Sequence, residues 1–244
     1  MKQYGLIGFP LEHSFSKKYF TEKFITENIA NCSYENFELA KIEDFISLKN
    51  KHQNLCGLNV TIPYKQSIIP FLDELDETAQ QVGAVNTIKF YNGKCIGYNT
   101  DVIGFEKTFS PLVKPHHLFA LIFGNGGATK SVEYVLKKIG IHYQIVSRNP
   151  CVNQLSYDDI NLFTMRQFHV LINCTPVGMF PNENDVLNIP YDYINSKFLC
   201  YDLIYNPKET EFLKQAKSKM AVTKNGYEML IQQAEAAWQI WSDK

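Results

Sequence analysis

Short apolar runs alternate with helical stretches along most of the chain, and this alternation restricts the fold more than any other feature. Tyr4 to Phe9, Ser33 to Glu38 and Leu55 to Val60 read as strands. Ser14 or Ser16 caps a helical stretch to about Asn28, and Ile42 to Asn50 reads as helix. Strands joined by helices pair in parallel and need cover on their faces, so the chain is predicted to be α/β with a mainly parallel sheet. Pro63 suits a first helical position, which predicts a helix over Tyr64 to Val82 with a break near Leu72 to Asp76. Ala84 to Tyr91 and Lys94 to Tyr98 flank Asn92-Gly93, a dipeptide that supplies two positive φ values, so a hairpin is expected to close this first sheet.

A short helical stretch follows Asp101. Ser110 to His117 then holds two prolines and two histidines with no apolar period, and reads as a linker. A second series begins with the continuous apolar run Leu118 to Phe123, the turn Gly124-Asn125-Gly126-Gly127-Ala128 and an amphipathic helix from Thr129 to Ile139. Gln144 to Val146, Val170 to Asn173 and Phe198 to Leu203 supply further strands, and Gly226 precedes a last helix from Tyr227 to Trp241. With 244 residues and no repeat of domain-building length, two domains of ordinary size are expected.

Composition narrows the partner. Lys and Arg total 24 against 25 Asp and Glu, so no net field draws nucleic acid or an anionic membrane, and a small molecule fits better. The six cysteines form no CxxC pair and read as reduced, mostly buried thiols of a cytosolic protein. The six histidines show no ligand spacing, so no metal is expected. Pro10, Glu12 and His13 cut the first apolar run short of a signal-peptide core, and no run reaches the ~18 apolar residues of a membrane span. The expectation is a soluble, cytoplasmic protein.

A glycine-rich turn between strand and helix lets backbone N–H groups approach a pyrophosphate at the helix N-terminus. Gly124 and Gly126 fit that pattern, although the full fingerprint would put glycine or alanine where this chain has Thr129. The end of the next strand, about 20 residues on, reads the cofactor's ribose. Ser147-Arg148-Asn149 stand there, with no carboxylate to accept from ribose hydroxyls and an arginine suited to a 2′-phosphate. Arg148 and Arg166 are the only arginines, so an arginine at this point carries weight.

Polar residues collect at predicted strand ends in the first half: Ser14 and Ser16, Asn59 and Thr61, Asn86, and Thr100 with Asp101. Singly they read as helix caps or turn formers. Together, at the carboxyl edge of a parallel sheet, they describe a pocket for a small polyhydroxylated ligand. Lys65 would fall in the first turn of the predicted helix, where roughly +0.5 charge makes a cation unfavourable and asks for a reason. Hydride delivery to a ketone leaves an alkoxide that needs a proton, and Lys65 with Asp101 as its partner could supply it.

These residues stand in an ordered set of motifs: Gly8-Phe9-Pro10 through His13-Ser14-Phe15-Ser16, Asn59 through Lys65, Gly83-Ala84-Val85-Asn86-Thr87, Gly97-Tyr98-Asn99-Thr100-Asp101, Gly124 through Ala128, Asn173 through Met179, Tyr201 through Pro207, and Gly226 through Gln233. In that set, nearly end to end, the chain resembles the shikimate dehydrogenases. The resemblance implies a reversible NADP-linked reduction of 3-dehydroshikimate to shikimate in chorismate and aromatic amino-acid biosynthesis. It implies an N-terminal substrate domain, residues 1–101 with 227–244, and a Rossmann-type NADP-binding domain, residues 102–226, with an interdomain cleft. Ser14 and Ser16 would hold the substrate carboxylate, and Thr61, Asn86, Asp101 and Gln233 its hydroxyls, with Asn59 and Tyr205 assisting. Lys65 would be the acid/base group. Gly124, Asn125, Gly126, Gly127 and Ala128 would meet the pyrophosphate, Ser147, Arg148 and Asn149 the 2′-phosphate, and Thr175, Leu203, Gly226 and Met229 the nicotinamide. Asn125 departs from the usual alanine, and Ser147-Arg148-Asn149 from the usual Asn-Arg-Thr. The alternatives are an NAD-preferring quinate/shikimate dehydrogenase and a non-catalytic sensor of a shikimate-type ligand. Monomer and homodimer both remain open.

Overall fold

The computed structural model describes residues 1–11 and 14–243, so the His13 of the first motif, with Glu12 and Lys244, lies outside the described residues. The chain forms two compact units, Met1–Thr100 with Ala234–Lys244, and Asp101–Gln233. It passes between them twice, at Thr100/Asp101 and at Gln233/Ala234.

The first unit runs β1 (Lys2–Gly8), α1 (Phe15–Thr26), β2 (Cys32–Glu38), α2 (Asp44–Lys51), β3 (Leu55–Val60), β4 (Glu74–Leu75), α3 (Glu77–Val82), β5 (Thr87–Tyr91) and β6 (Lys94–Tyr98). Its sheet has the order β2-β1-β3-β5-β6-β4. The first three strands are parallel, and β5 and β6 form the antiparallel hairpin expected at Asn92-Gly93, both at positive φ. The hairpin does not close the sheet, because the two residues of β4 pair with β6 beyond it. Alternation along β1 divides two cores: Ile7 faces Leu39, Phe45, Leu58 and Ile68, while Tyr4 and Leu6 face Phe20, Phe24 and Tyr34.

The second unit runs α4 (Asp101–Phe109), β7 (Phe119–Phe123), α5 (Gly127–Lys138), β8 (His142–Val146), α6 (Leu162–Gln167), β9 (Val170–Asn173), β10 (Leu199–Asp202), α7 (Glu211–Ser218), β11 (Val222–Lys224) and the start of α8 (Tyr227–Ser242). Its five strands are all parallel, in the Rossmann-type order β11-β10-β9-β7-β8. Leu121, Phe123, Leu171 and Cys200 bring one sheet face against Phe168, Phe212 and Leu213. The far end of α8 belongs to the first unit, where Ala234, Ala237 and Trp241 join the Tyr4 side of the core. Gly57 makes room for that end: a Cβ there would stand 2.2 Å from Trp241 Nε1, which donates to the Ile88 carbonyl at 2.9 Å.

Several expectations fail for local reasons. No helix starts at Tyr64. The Lys65 carbonyl, which a helix would offer to Ile69, accepts instead from the Val85 N–H at 2.7 Å, and Pro70 has no N–H to give Gln66. The segment is a run of turns with a short 3-10 turn at Ile69–Phe71, and only α3 is helical. Lys65 is thus not in the first turn of a helix, where the sequence reading put it. Ser110 to His117 is no linker but an internal part of the second unit. His117 is buried; its Nδ1 accepts from Lys114 N–H at 3.0 Å, which leaves Nε2 to donate to the Lys197 carbonyl at 3.0 Å. Of the cysteines only Cys95 and Cys200 are buried, Cys151 is exposed, and all are free thiols. Among the described residues no helix is long and apolar enough to cross a membrane.

Candidate active site

In the first sheet the chain leaves β1 for β2 on one side and returns to β3 on the other, and a crevice opens outside the carboxyl ends of β1 and β3 at such a reversal. Two loops are stitched together there. Thr61 N–H donates to the Ile7 carbonyl at 2.9 Å and Phe9 N–H to the Ile62 carbonyl at 3.1 Å. Gly8 permits the approach, since a Cβ on it would lie 2.4 Å from Thr61 Cγ2.

Beneath these loops lies a buried polar layer. Tyr34 Oη donates to Asn59 Oδ1 at 2.7 Å, and Asn59 Nδ2 donates to the Asn86 carbonyl and to Thr87 Oγ1, both at 3.3 Å. Asn86 Oδ1 accepts from Thr100 N–H at 2.7 Å while its Nδ2 donates to Thr100 Oγ1 at 2.9 Å. Burial pushes the Tyr34 phenol far above its ordinary range, opposed by its hydrogen bond with the Ser16 hydroxyl. Tyr34, Thr87 and Thr100 thus fix the orientation of Asn59 and Asn86 from below. Sequence reading missed Tyr34 and Thr87; the available signal was a tyrosine inside a half-buried strand, whose hydroxyl needs a partner.

Ser14 occupies the N-cap position of α1, yet its side chain caps nothing. Its Oγ is buried and has no hydrogen-bond partner among the described residues. The ordinary cap reading of Ser14 therefore fails. Lys65 is half-buried, and the Val85 N–H bond to its carbonyl anchors its backbone beside Asn86. The first unit accordingly gathers Ser14, Ser16, Asn59, Thr61, Lys65 and Asn86. Asp101, Tyr205 and Gln233 belong to the second unit, with Asp101 buried as the first residue of α4 rather than the cap before it.

The second sheet repeats the reversal, with β8 and β9 on opposite sides of β7. The glycine turn leaves β7 at this point. Gly124 has φ +101°, and a Cβ on it would press on Thr175 Cγ2 at 3.0 Å, so the turn demands glycine. Gly126 is the N-cap of α5 and faces open space, which leaves the helix N-terminus approachable. Thr129 replaces the small residue of the fingerprint by bonding instead: fully buried, it donates from Oγ1 to the Gly124 carbonyl at 2.9 Å. Asn125 is exposed on the turn.

Ser147, Arg148 and Asn149 follow β8, with the Ser147 Oγ 3.3 Å from Asn149 N–H. Arg148 is exposed and makes no ion pair among the described residues; it lies near enough to Tyr157 to oppose the rise that burial imposes on that phenol. Thr175 follows β9, Leu203 and Tyr205 follow β10, and Gly226 and Met229 stand at the start of α8. Gly226 N–H donates to the Ile204 carbonyl at 2.9 Å, and a Cβ on Gly226 would fall 2.0 Å from the Leu203 oxygen, so the two segments are in contact through a bare backbone. Turn, helix end, arginine and glycine contact together fit a phosphorylated dinucleotide.

The comparisons agree with this geometry. A family model described as the shikimate dehydrogenase substrate binding domain matches residues 6–88. Over 98% of this chain and 91% of its own length, a shikimate dehydrogenase (NADP(+)) of Methanosphaera stadtmanae is 36% identical. A crystal structure of a shikimate dehydrogenase in complex with NADP+ is similar with a TM-score of 0.87 and 34% identity, over 99% of this chain and 90% of that one. The Thermus thermophilus shikimate 5-dehydrogenase in complex with NADP(H) and shikimate has a TM-score of 0.87 at 27% identity, over 99% of this chain and 94% of that one. Similarity of this extent, running through both units, means that the chain belongs to the shikimate dehydrogenase family.

Proposed function

We propose that the protein catalyses the reversible NADP-dependent reduction of 3-dehydroshikimate to shikimate, the step its relatives' names describe, in aromatic amino-acid biosynthesis. The observation that carries this reading is the whole-length kinship at 36% identity together with an exposed arginine, Arg148, at the strand end that reads the ribose. The glycine turn from Gly124 to Ala128 would hold the pyrophosphate, Ser147 to Asn149 the 2′-phosphate, and Thr175, Leu203, Gly226 and Met229 the nicotinamide. The bound cofactor supplies the hydride.

Ser14 and Ser16 bind the substrate carboxylate. A buried hydroxyl without a partner costs about 1–3 kcal/mol, and a carboxylate at the N-terminus of α1 would satisfy Ser14 and gain from the helix end. Thr61, Asn86, Asp101 and Gln233 hold the ring hydroxyls, helped by Asn59 and Tyr205. Lys65 gives its proton to the oxygen as it becomes an alkoxide and takes it back in the oxidation, with Asp101 orienting the amine. The enzyme works in the cytoplasm, as a monomer or homodimer.

Purified protein given shikimate and NADP should develop the absorbance of the reduced nicotinamide, with kcat/KM for NADP well above that for NAD. Lys65→Ala should lower kcat by ~10² or more with KM little changed, as loss of a general acid does. No turnover by the wild type would sink the reading, near-normal turnover by the variant would remove Lys65 from the chemistry, and a preference for NAD would assign an NAD-linked quinate/shikimate dehydrogenase instead.

A further inference from the structure

One carboxylate in the second unit is buried without a cation among the described residues. Asp202, the last residue of β10, is fully buried, and its acceptors are used three times over. Oδ1 accepts from Asn173 Nδ2 at 3.1 Å and from Ile204 N–H at 3.0 Å, and Oδ2 accepts from Thr210 Oγ1 at 2.6 Å. All three donors are neutral. Burial raises its carboxyl to about 6, with the bonds from Thr210, Ile204 and Asn173 opposing the rise. A buried, unpaired carboxylate is expensive, and apolar residues fill such space at lower cost.

What the carboxylate achieves is local. Asn173, its register partner at the end of β9, uses its other side-chain atom on the following turn, where Oδ1 accepts from Thr175 N–H at 3.0 Å and from Thr175 Oγ1 at 2.6 Å. The same Asn173 amide also reaches the Val177 carbonyl at 3.3 Å. On the other side the bond to Ile204 N–H shapes the turn that carries Leu203 and Tyr205, and Gly226 N–H closes on the Ile204 carbonyl. Thr210, the N-cap of α7, holds the carboxylate from below and is itself almost wholly buried. Two turns that follow neighbouring strands are therefore joined through one side chain.

We infer that Asp202 is a positioning residue for the nicotinamide end of the cofactor, setting the spacing of Thr175 and Leu203 through Asn173 and the Ile204 N–H. The inference rests on the proposed cofactor reading. Leucine at this position would keep most of the volume but accept nothing, so both joined turns would lose their tie, whereas an amide could keep both through its oxygen while donating to the Thr210 hydroxyl.

Binding of NADPH and of adenosine 2′,5′-bisphosphate, which lacks the nicotinamide, separates the possibilities on the full chain. Asp202→Leu should weaken NADPH by about tenfold or more and leave the bisphosphate at its wild-type affinity. Thr210→Val should do the same to a smaller degree, and Thr210→Ser, which keeps the hydroxyl, should bind NADPH as the wild type does; this pair carries the test if Asp202→Leu does not fold. Unchanged NADPH affinity, or equal weakening of both ligands, would overturn the inference while leaving the cofactor reading intact. A wild-type protein that binds neither ligand would overturn the reading beneath it.

Discussion

At the scale of single residues, Ser14 separates stability from function. Its hydroxyl is buried and caps nothing, so removing it relieves a desolvation cost instead of breaking a bond. Ser14→Ala should leave the melting temperature unchanged or raised and raise KM for shikimate by about tenfold, since a bond to a charged group is worth about 1.5–3 kcal/mol. A lower melting temperature with unchanged KM would return Ser14 to an ordinary structural role. Ser14 stood out in the sequence as a hydroxyl after the first strand, and Arg148 as an arginine where a carboxylate would otherwise stand. The surroundings of Lys65 were not legible: its carbonyl is taken by Val85, twenty positions on, and no local periodicity records such a bond. Asp202 was invisible for a related reason, because its partners lie at Asn173 and Thr210 and only the fold brings them together.

Elements give a different lesson. The alternation of strand and helix was enough to identify both sheets, since buried parallel strands are continuous apolar runs whatever surrounds them. Short elements with weak patterns, such as β4, α6 and β11, depend on the neighbours they meet and leave little trace. Thr129 shows how a turn can be kept in shape while its motif is broken in letters: the turn is fixed by a hydroxyl bond where a smaller residue would have served by size. The docking of α8 on α1 has its own electrostatic signature. Glu235 accepts from Tyr19 and Lys23, and Lys23 also binds Glu27. Burial raises the Glu235 carboxyl, but these bonds outweigh it and hold the group below its ordinary range. Stability from this contact is therefore complete above the unfolded value of 4.5 and is lost as pH falls through the lower native value. Glu235→Gln should lower the unfolding free energy by about 1 kcal/mol at neutral pH and by less in acid. An equal loss at both pH values would show that charge is not what holds the contact.

For the whole molecule, the division into two units and the two chain crossings matter most. The sequence reading placed the return to the first unit at the start of α8, whereas the compact units divide inside that helix. Helical periodicity runs through such a point without interruption, so nothing along the chain marks it. Trp241 is the anchor of the returning segment, touching Tyr4, Phe20 and Tyr34 and lying over Gly57. Trp241→Ala should cost about 3–5 kcal/mol. Amide exchange should show the loss in β1 and β3, with NADPH affinity retained by the second unit. Loss of protection spread evenly over both units would contradict the division.

The seat that Gly57 leaves for Trp241 also orders events during synthesis. Tyr4, Leu6, Phe20 and Tyr34 leave the ribosome early, but the side chains that complete their core, Ala234, Ala237 and Trp241, come after the entire second unit. At ordinary elongation rates the nascent first unit waits on the order of ten seconds with one sheet face only partly covered. The part translated first is the last to finish folding, and its exposure to chaperones and proteases is timed by the length of the unit inserted into it.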